Sequence, residues 1–382
     1  MSNRDYGGVS VQMMLTSDEA RYASNIFINY FENFDRIDDY FREVKLDRMS
    51  KVPAALPGYG PEDDMFCDFD MHPEDMDFVV CEMDNEVYKN YLDLTASHVI
   101  EDSIPGKTLK WVVKERNTNK IVGFIRFGSP VINSKPRNDF LGRVPDLTRF
   151  NRHVIMGFII VPTQPFGYNY LGGKLLALMC CSHEAREKLN AKYNTDICLF
   201  ETTSLYGSSK SSSQYDGLKP YMRFKGLTDS NFVPLIHDQL FSDLDDWFRR
   251  RNNNKTIVKE GASSRKLKTQ QKMIALIKST LKETDLDQYS HFVNTLGKAL
   301  NLTERKRFYM SDYGFSNVRE VINGQEETLV KNPQNFDKFY MENIVQWWKK
   351  KASKRYESLK SDNRLRTELE VWSKNSTIDI IR

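Results

Sequence analysis

His153-Val-Ile-Met-Gly-Phe-Ile-Ile-Val-Pro162, followed by Thr163-Gln-Pro-Phe-Gly-Tyr-Asn-Tyr-Leu-Gly-Gly-Lys174, decides the fold class. Its first ten residues are apolar and β-branched enough for a buried strand. A loop with three glycines comes next. Leu175 to Tyr193 then reads as a helix and Ile197 to Thr203 as a second buried strand. Strand, loop, helix and strand in this order predict a parallel pair joined by a helix. Upstream, Leu109-Lys-Trp-Val-Val-Lys-Glu115 and Ile121-Val-Gly-Phe-Ile-Arg-Phe127 flank the turn residues Asn117-Thr-Asn119 and predict a hairpin. Residues 131–152 are polar and basic and read as an irregular insertion.

Working outward, residues 16–45 open with Thr16-Ser-Asp-Glu, a helix start with acids in its first turn. Residues 52–77 are rich in Pro, Gly and acids and read as an exposed loop. His72 among those acids reads as solvated rather than as a metal ligand, since no ligand spacing repeats. Beyond a hinge at 249–255, residues 265–282 and 286–302 have helical periodicity, and 336–373 read as one or two basic helices. The expected division is an acidic extension at 1–104 with an amphipathic helix, an α/β core at 105–248, and a basic helical domain at 255–382.

The chain has 382 residues and a net charge of +3, but the charge is segregated. Residues 1–100 carry 21 acidic and 8 basic side chains, whereas 251–382 carry 26 basic and 16 acidic ones. A basic tail fits a polyanion such as DNA. The plainer alternative is attraction between the two ends of the chain. The five cysteines show no paired spacing and suit a reducing cytosol. No apolar run is long enough to span a membrane, and the N-terminus has no signal-peptide core, so a cytoplasmic protein is expected.

Three groups of residues carry candidate chemistry. Gly167, Asn169, Gly172, Gly173 and Lys174 lie between a strand and a helix, where glycines let backbone N–H groups approach an anion and a lysine can neutralise it. The spacing is neither that of a P-loop nor Gly-x-Gly-x-x-Gly, and a structural turn is the alternative. Glu201 follows the apolar run 197–200 at the carboxyl end of a core strand, where ligands of open α/β sheets bind, so it is a candidate general base. Thr203, Ser204 and Tyr206 can bond a substrate, and Asp216 can orient Tyr215. In the tail, Arg305, Lys306, Arg307, Tyr309 and Tyr313 interleave cations with aromatics, and Lys349, Lys350 and Lys351 follow Trp347-Trp348. Both patterns suit phosphate contact and base stacking, or else helix packing. Cys180 and Cys181 read as core, and His153 and His183 as structural. No nucleophilic triad is present.

The order of hairpin, strand, Gly-containing loop, helix, strand and Tyr-bearing segment resembles the GNAT acyltransferase fold. There the loop after the fourth strand has the form Gln/Arg-x-x-Gly-x-Gly/Ala and holds the coenzyme A pyrophosphate. Two registers fit imperfectly here, Gln164-Pro-Phe-Gly167-Tyr-Asn169 and Asn169-Tyr-Leu-Gly172-Gly-Lys174, and both lack the final small residue. In that fold a tyrosine often protonates the leaving thiolate, and Tyr215 falls at the matching place.

A closer resemblance rests on Leu171-Gly-Gly-Lys-Leu-Leu-Ala-Leu178, Glu201-Thr-Thr-Ser-Leu-Tyr-Gly207, Ser213-Gln-Tyr-Asp-Gly-Leu-Lys219 and Lys225-Gly-Leu-Thr228. These runs resemble a phage and bacterial family that includes the DruA component of the Druantia antiphage system. That family in turn looks related to the Mom proteins, GNAT-like enzymes that modify adenine in phage DNA. The overlap covers about 105–240. The resemblance implies an α+β, GNAT-like core with a mixed sheet, acting on DNA by acyl or aminoacyl transfer. The donor would be acetyl-CoA or another acyl carrier. Two rival expectations are a non-enzymatic DNA-binding defence or counter-defence module on a transferase fold, and a conventional acetyltransferase.

Overall fold

The structure, a computed structural model, describes residues 13–54, 57–95, 106–204, 212–231, 233–259, 265–302, 305–373 and 376. The chain divides into two compact units. One is built from the described parts of 1–47 and 231–304, the other from those of 48–101, 106–230 and 305–382. Residues 305–382, grouped on the sequence with the helices before them, therefore share the unit of the sheet.

The first unit is helical. Ser17–Phe31 begins at Thr16, whose side chain and that of Glu19 cap each other's backbone N–H groups. Its apolar face meets the helices Arg265–Thr284 and Leu286–Leu300 in a core that includes Phe27, Met273, Ile277 and Phe292. Arg21 bonds Asp285 at 2.8 Å, and Glu32 meets His291 at 2.6 Å. Within this unit Glu19 of the acidic head also meets Arg251 of the basic tail at 2.8 Å, whereas the Arg21–Asp285 pair runs the other way, a cation of the head on an acid of the tail.

The second unit is a mixed α/β structure around a seven-stranded sheet. Its strands are β1 (Phe78–Cys81), β2 (Thr108–Glu115), β3 (Lys120–Gly128), β4 (Val154–Pro162), β5 (Leu199–Ser204), β6 (Arg223–Asn231) and β7 (Arg305–Ser311). Their spatial order is β1-β2-β3-β4-β5-β7-β6. The β2–β3 hairpin pairs as expected, and β4 and β5 run parallel. The other pairings from β1 to β7 are antiparallel. The β4–β5 register covers only Val154↔Leu199 to Gly157↔Thr202, although β4 runs on to Pro162 and β5 to Ser204.

Local differences from the sequence reading have physical causes. The expected helix 175–193 is two, Gly172–Cys180 and His183–Tyr193, because Ser182 caps the second through the Ala185 N–H. The insertion 131–152 holds helices Lys135–Leu141 and Leu147–His153, the first with Pro136 in its first turn and the second capped by Asp146. The loop 52–77 is not wholly exposed, since Phe66, Phe69 and Met76 reach the sheet's core. The basic segment at 305–311 is a strand. Met341–Ser361 is one long helix, held by Trp348, which is fully buried and donates its indole N–H to the Tyr170 carbonyl at 2.8 Å.

Helices cover both faces of the sheet. Gly172–Cys180 lies on one, where Leu176 sits against Gly123 too closely for any Cβ there. The helices Asn85–Thr95 and Lys135–Leu141 lie on the other, with Tyr88 edge-on to Phe124 at 5.4 Å.

Candidate functional site

Successive residues of a strand point to opposite faces. Glu201 and Thr202 are neighbours on β5, so this rule parts the residues that the sequence grouped as catalytic.

On the face of Lys135–Leu141, Glu201 is buried and ion-paired. Arg137 Nη1 donates to both carboxylate oxygens, at 2.8 and 3.1 Å. Arg137 Nη2 donates to the carbonyls of Val131 and Ile132, and its guanidinium lies 4.4 Å over the Phe150 ring. Both side chains are almost completely sealed from solvent. Burial raises the Glu201 carboxyl to about 7, and Arg137 opposes that rise without cancelling it. As placed, the carboxyl reaches Arg137 and no external substrate.

The opposite face holds a polar cluster. Tyr309 stands across from Thr202, and Arg307 across from Ser204. The Tyr309 hydroxyl donates to Asp216 at 2.8 Å and accepts from Arg307 Nε at 2.8 Å, while Arg307 Nη2 reaches Asp216 at 3.1 Å. Burial pulls the Asp216 carboxyl up, but the Ser213 N–H, Tyr309 and Arg307 outweigh it and hold it below the usual range. Tyr215 packs edge-on to Tyr309 at 5.3 Å, and burial raises its hydroxyl. Arg307 also stacks 4.1 Å over Phe224, which is 43% exposed on β6. Two residues predicted as catalytic, Tyr215 and Asp216, and two predicted for nucleic acid, Arg307 and Tyr309, thus form one site. Ser204 is half-buried at its edge, Thr203 points to the Glu201 face, and Tyr206 lies outside the described residues.

The loop 163–174 is packed from within. A Cβ on Gly172 would lie 2.6 Å from the Phe166 ring, and one on Gly167 2.6 Å from Pro162. Gly173 sits against Gln214. Lys174 Nζ donates to the carbonyls of Gln214 and Asp216 at 3.1 and 2.8 Å, which ties the helix start to the polar cluster. Asn169 is buried and clasps the Arg366 backbone, accepting from its N–H at 3.1 Å and donating to its carbonyl at 2.7 Å. Each of these residues has an internal use, the structural turn weighed as the alternative.

The tail residues separate. Arg305 is exposed and Lys306 half-buried on β7. Tyr313 is fully buried, its hydroxyl bonded to the Cys180 carbonyl at 3.3 Å, so no base can stack on it as it stands. Lys349 donates to the Glu74 carbonyl at 2.7 Å, Lys350 is exposed, and Lys351 lies over Trp347. His153 and His183 bond the carbonyls of Asp196 and Phe336, and burial lowers both imidazoles. Burial pushes the Cys181 thiol up to about 12. Among the described residues no group of three or more His, Cys, Asp or Glu is placed to hold a metal ion, and no helix is long and apolar enough to cross a membrane.

Arg137 and Phe224 were missed on the sequence. Arg137 had no local signal to set it apart from the other cations of the polar, basic stretch 131–152. Phe224 sat in a segment too charged to read as a strand.

The geometry defines a mixed α/β protein with a buried ion pair on one sheet face and an Arg–Tyr–Asp cluster beside an exposed aromatic on the other. Residues 73–210 match the family model of the Druantia protein DruA, a DruA-like relationship that spans β1 to β5. The match covers about a third of the chain and ends before Asp216, Phe224 and Arg307. No curated protein and no solved structure matches the chain.

Proposed function

We propose that this is a DNA-binding protein on a GNAT-like frame, with its nucleic-acid contact on the outer strands β6 and β7. The carrying observation is Arg307 on β7, whose guanidinium lies over Phe224 of β6, with the exposed Arg305 two residues before it on the same face; Lys225 turns to the other face over Phe140, and Arg223 pairs with Asp312. β6 ends the sheet, and Phe224 is exposed with a guanidinium over its ring. Cations that neutralise phosphates around an exposed aromatic are the elements of nucleic-acid binding. The GNAT-like frame is supported by the short parallel β4–β5 pairing, which stops while both strands continue, and by the Gly-containing turn into the helix after β4.

Binding without transfer is favoured because Glu201 and Tyr215 lie on opposite faces of the sheet. The filled glycine loop adds to this. A second reading, Mom-like base modification by acyl or aminoacyl transfer, draws on Glu201, a carboxyl poised near neutrality at the carboxyl end of the parallel pair. Mass spectrometry of nucleosides from cellular DNA exposed to the wild-type protein decides between them. Binding alone yields no modified nucleoside. A modified nucleoside that is lost in Glu201→Gln establishes transfer instead.

A further inference from the structure

The loop 163–174 gathers arginines from a distant part of the chain. Arg355, on the helix Met341–Ser361, places its guanidinium 4.8 Å from the Tyr168 ring centre and donates from Nε to the Tyr168 carbonyl at 3.3 Å. Arg366 lies 4.1 Å from the same ring, and Arg364 Nη2 reaches the Tyr168 hydroxyl at 3.4 Å. The backbone that carries Arg366 is held on both sides, by Asn169 and by the Glu370 N–H donating to the Gln164 carbonyl at 3.0 Å. Three guanidinium groups are thereby fixed around one aromatic before any ligand arrives. Guanidinium planes ordered in this way suit phosphate, which they can grip through paired N–H groups.

Their acidic neighbours leave them available. Asp362 stands 3.8 Å from Arg364, and Glu370 stands 3.8 Å from Arg366. Both arginine side chains are about half exposed, at 59% and 47%. Ion pairs of half-exposed arginines at such separations are weak.

The cluster also connects to the polar site. Lys351 lies one helical turn before Arg355, on the same side of the helix. Burial, and after it the charge of Lys351, holds the Lys174 ammonium below its ordinary range against the pull of Asp216. Lys174 is bonded to the Asp216 carbonyl, and Asp216 to Arg307. Arg307, Lys174, Lys351 and Arg355 thus form a sequence from β7 toward Tyr168, with Asp216 between the first two.

We infer that Arg355, Arg364 and Arg366, assembled around Tyr168, form a second phosphodiester contact for DNA, joined to the β6–β7 contact through Lys351 and Lys174. This inference rests on the DNA-binding function proposed above and specifies the path of the strand. Asn169 acts as a positioning residue that holds Arg366.

The test measures binding of a labelled DNA duplex to the full chain across a sodium chloride series. The proteins are the wild type, the triple variant Arg355→Gln/Arg364→Gln/Arg366→Gln, and a control of equal charge loss, Lys272→Gln/Lys282→Gln/Lys298→Gln, at exposed positions of the helical unit. Each phosphate contact contributes about 0.9 to the slope of log affinity against log salt. Loss of three contacts flattens it by about 2.7, or about 40-fold in affinity over a fourfold rise in salt. The expected result is that flattening in the arginine variant and a smaller change in the control. An unchanged slope in the arginine variant, or an equal change in the control, overturns the inference and leaves the β6–β7 contact standing. A wild type that binds no duplex at any salt refutes the proposed function itself. A parallel arm titrates coenzyme A and inorganic pyrophosphate. If either binds the wild type and not the arginine variant while the DNA slope stays unchanged, the arginines hold a small-molecule phosphate and the inference fails.

Discussion

Replacing Glu201 by Gln removes a titration from the middle of the fold without changing its shape. In the folded protein burial raises this carboxyl to about 7 from an ordinary value of 4.5. Between these values the folded state keeps a proton that the unfolded chain has released. Stability therefore falls as pH rises through that window and levels off above it. The shift is about 2.5 units, and at about 1.4 kcal/mol per unit the wild type loses about 3 kcal/mol on this account. Gln does not titrate. At pH about 4 the wild-type side chain is neutral and bonds Arg137 much as Gln would, so the two proteins should differ little. At pH about 8 the variant should have gained about 3 kcal/mol relative to the wild type. Urea unfolding of both proteins across this range, followed by tryptophan fluorescence, measures the difference, and contributions from other groups cancel. A difference that is constant with pH, or one that shifts against the variant as pH rises, would refute the assignment of a buried carboxyl whose ionised form is disfavoured by desolvation.

Three further outcomes follow from the packing and the polar cluster. Gly172→Val places its Cβ about where the Phe166 ring and Pro162 already lie, so it should cost about 1–3 kcal/mol as overpacking; a melting temperature equal to the wild type's would show that the loop is open instead. Tyr313→Phe should cost about 1 kcal/mol through the lost bond to Cys180 and leave DNA affinity unchanged; a fall in affinity in a folded variant would place that ring on the ligand. Asp216→Asn removes the acid that faces Arg307, so duplex DNA should bind more tightly and with a steeper salt slope; weaker binding in the folded variant would mean that Asp216 itself supports the contact.

The central strands were legible because β2 to β5 carry apolar, β-branched runs whose length and flanking turns leave little choice. β7 was not. Arg305-Lys-Arg-Phe-Tyr-Met-Ser311 has its cations at one end of the strand, and they drew the reading toward a surface patch. β6 closes the sheet and needs no apolar partner on its outer side, so Arg223-Phe-Lys-Gly carries little strand signal. The helices within 131–152 had start signals, Pro136 in the first turn of one and Asp146 capping the other, and the overall polarity of the stretch hid them.

The candidate site was legible in its members but not in its grouping. Glu201 and Asp216 were picked out by position along the chain, yet only the strand's alternation places them on opposite faces. The Asp216–Tyr309 bond spans 93 residues, and the Asn169–Arg366 clasp spans 197, so no local spacing announces either. Truncation at 255, an obvious way to test the basic tail, would also remove β7 and the helix that holds Trp348 in the core.

The most direct measurement is the affinity of duplex DNA for the full chain and for Phe224→Ala/Arg307→Gln, each across a salt series. Phe224 is 43% exposed, and neither it nor Arg307 belongs to the sheet's hydrophobic core, so the variant keeps that core. Wild-type affinity should fall steeply with salt, and the variant should bind more weakly with a slope flatter by about 0.9 for the lost phosphate contact. Equal affinity and slope in the two proteins, or a wild type whose binding ignores salt, would contradict a DNA contact on β6 and β7.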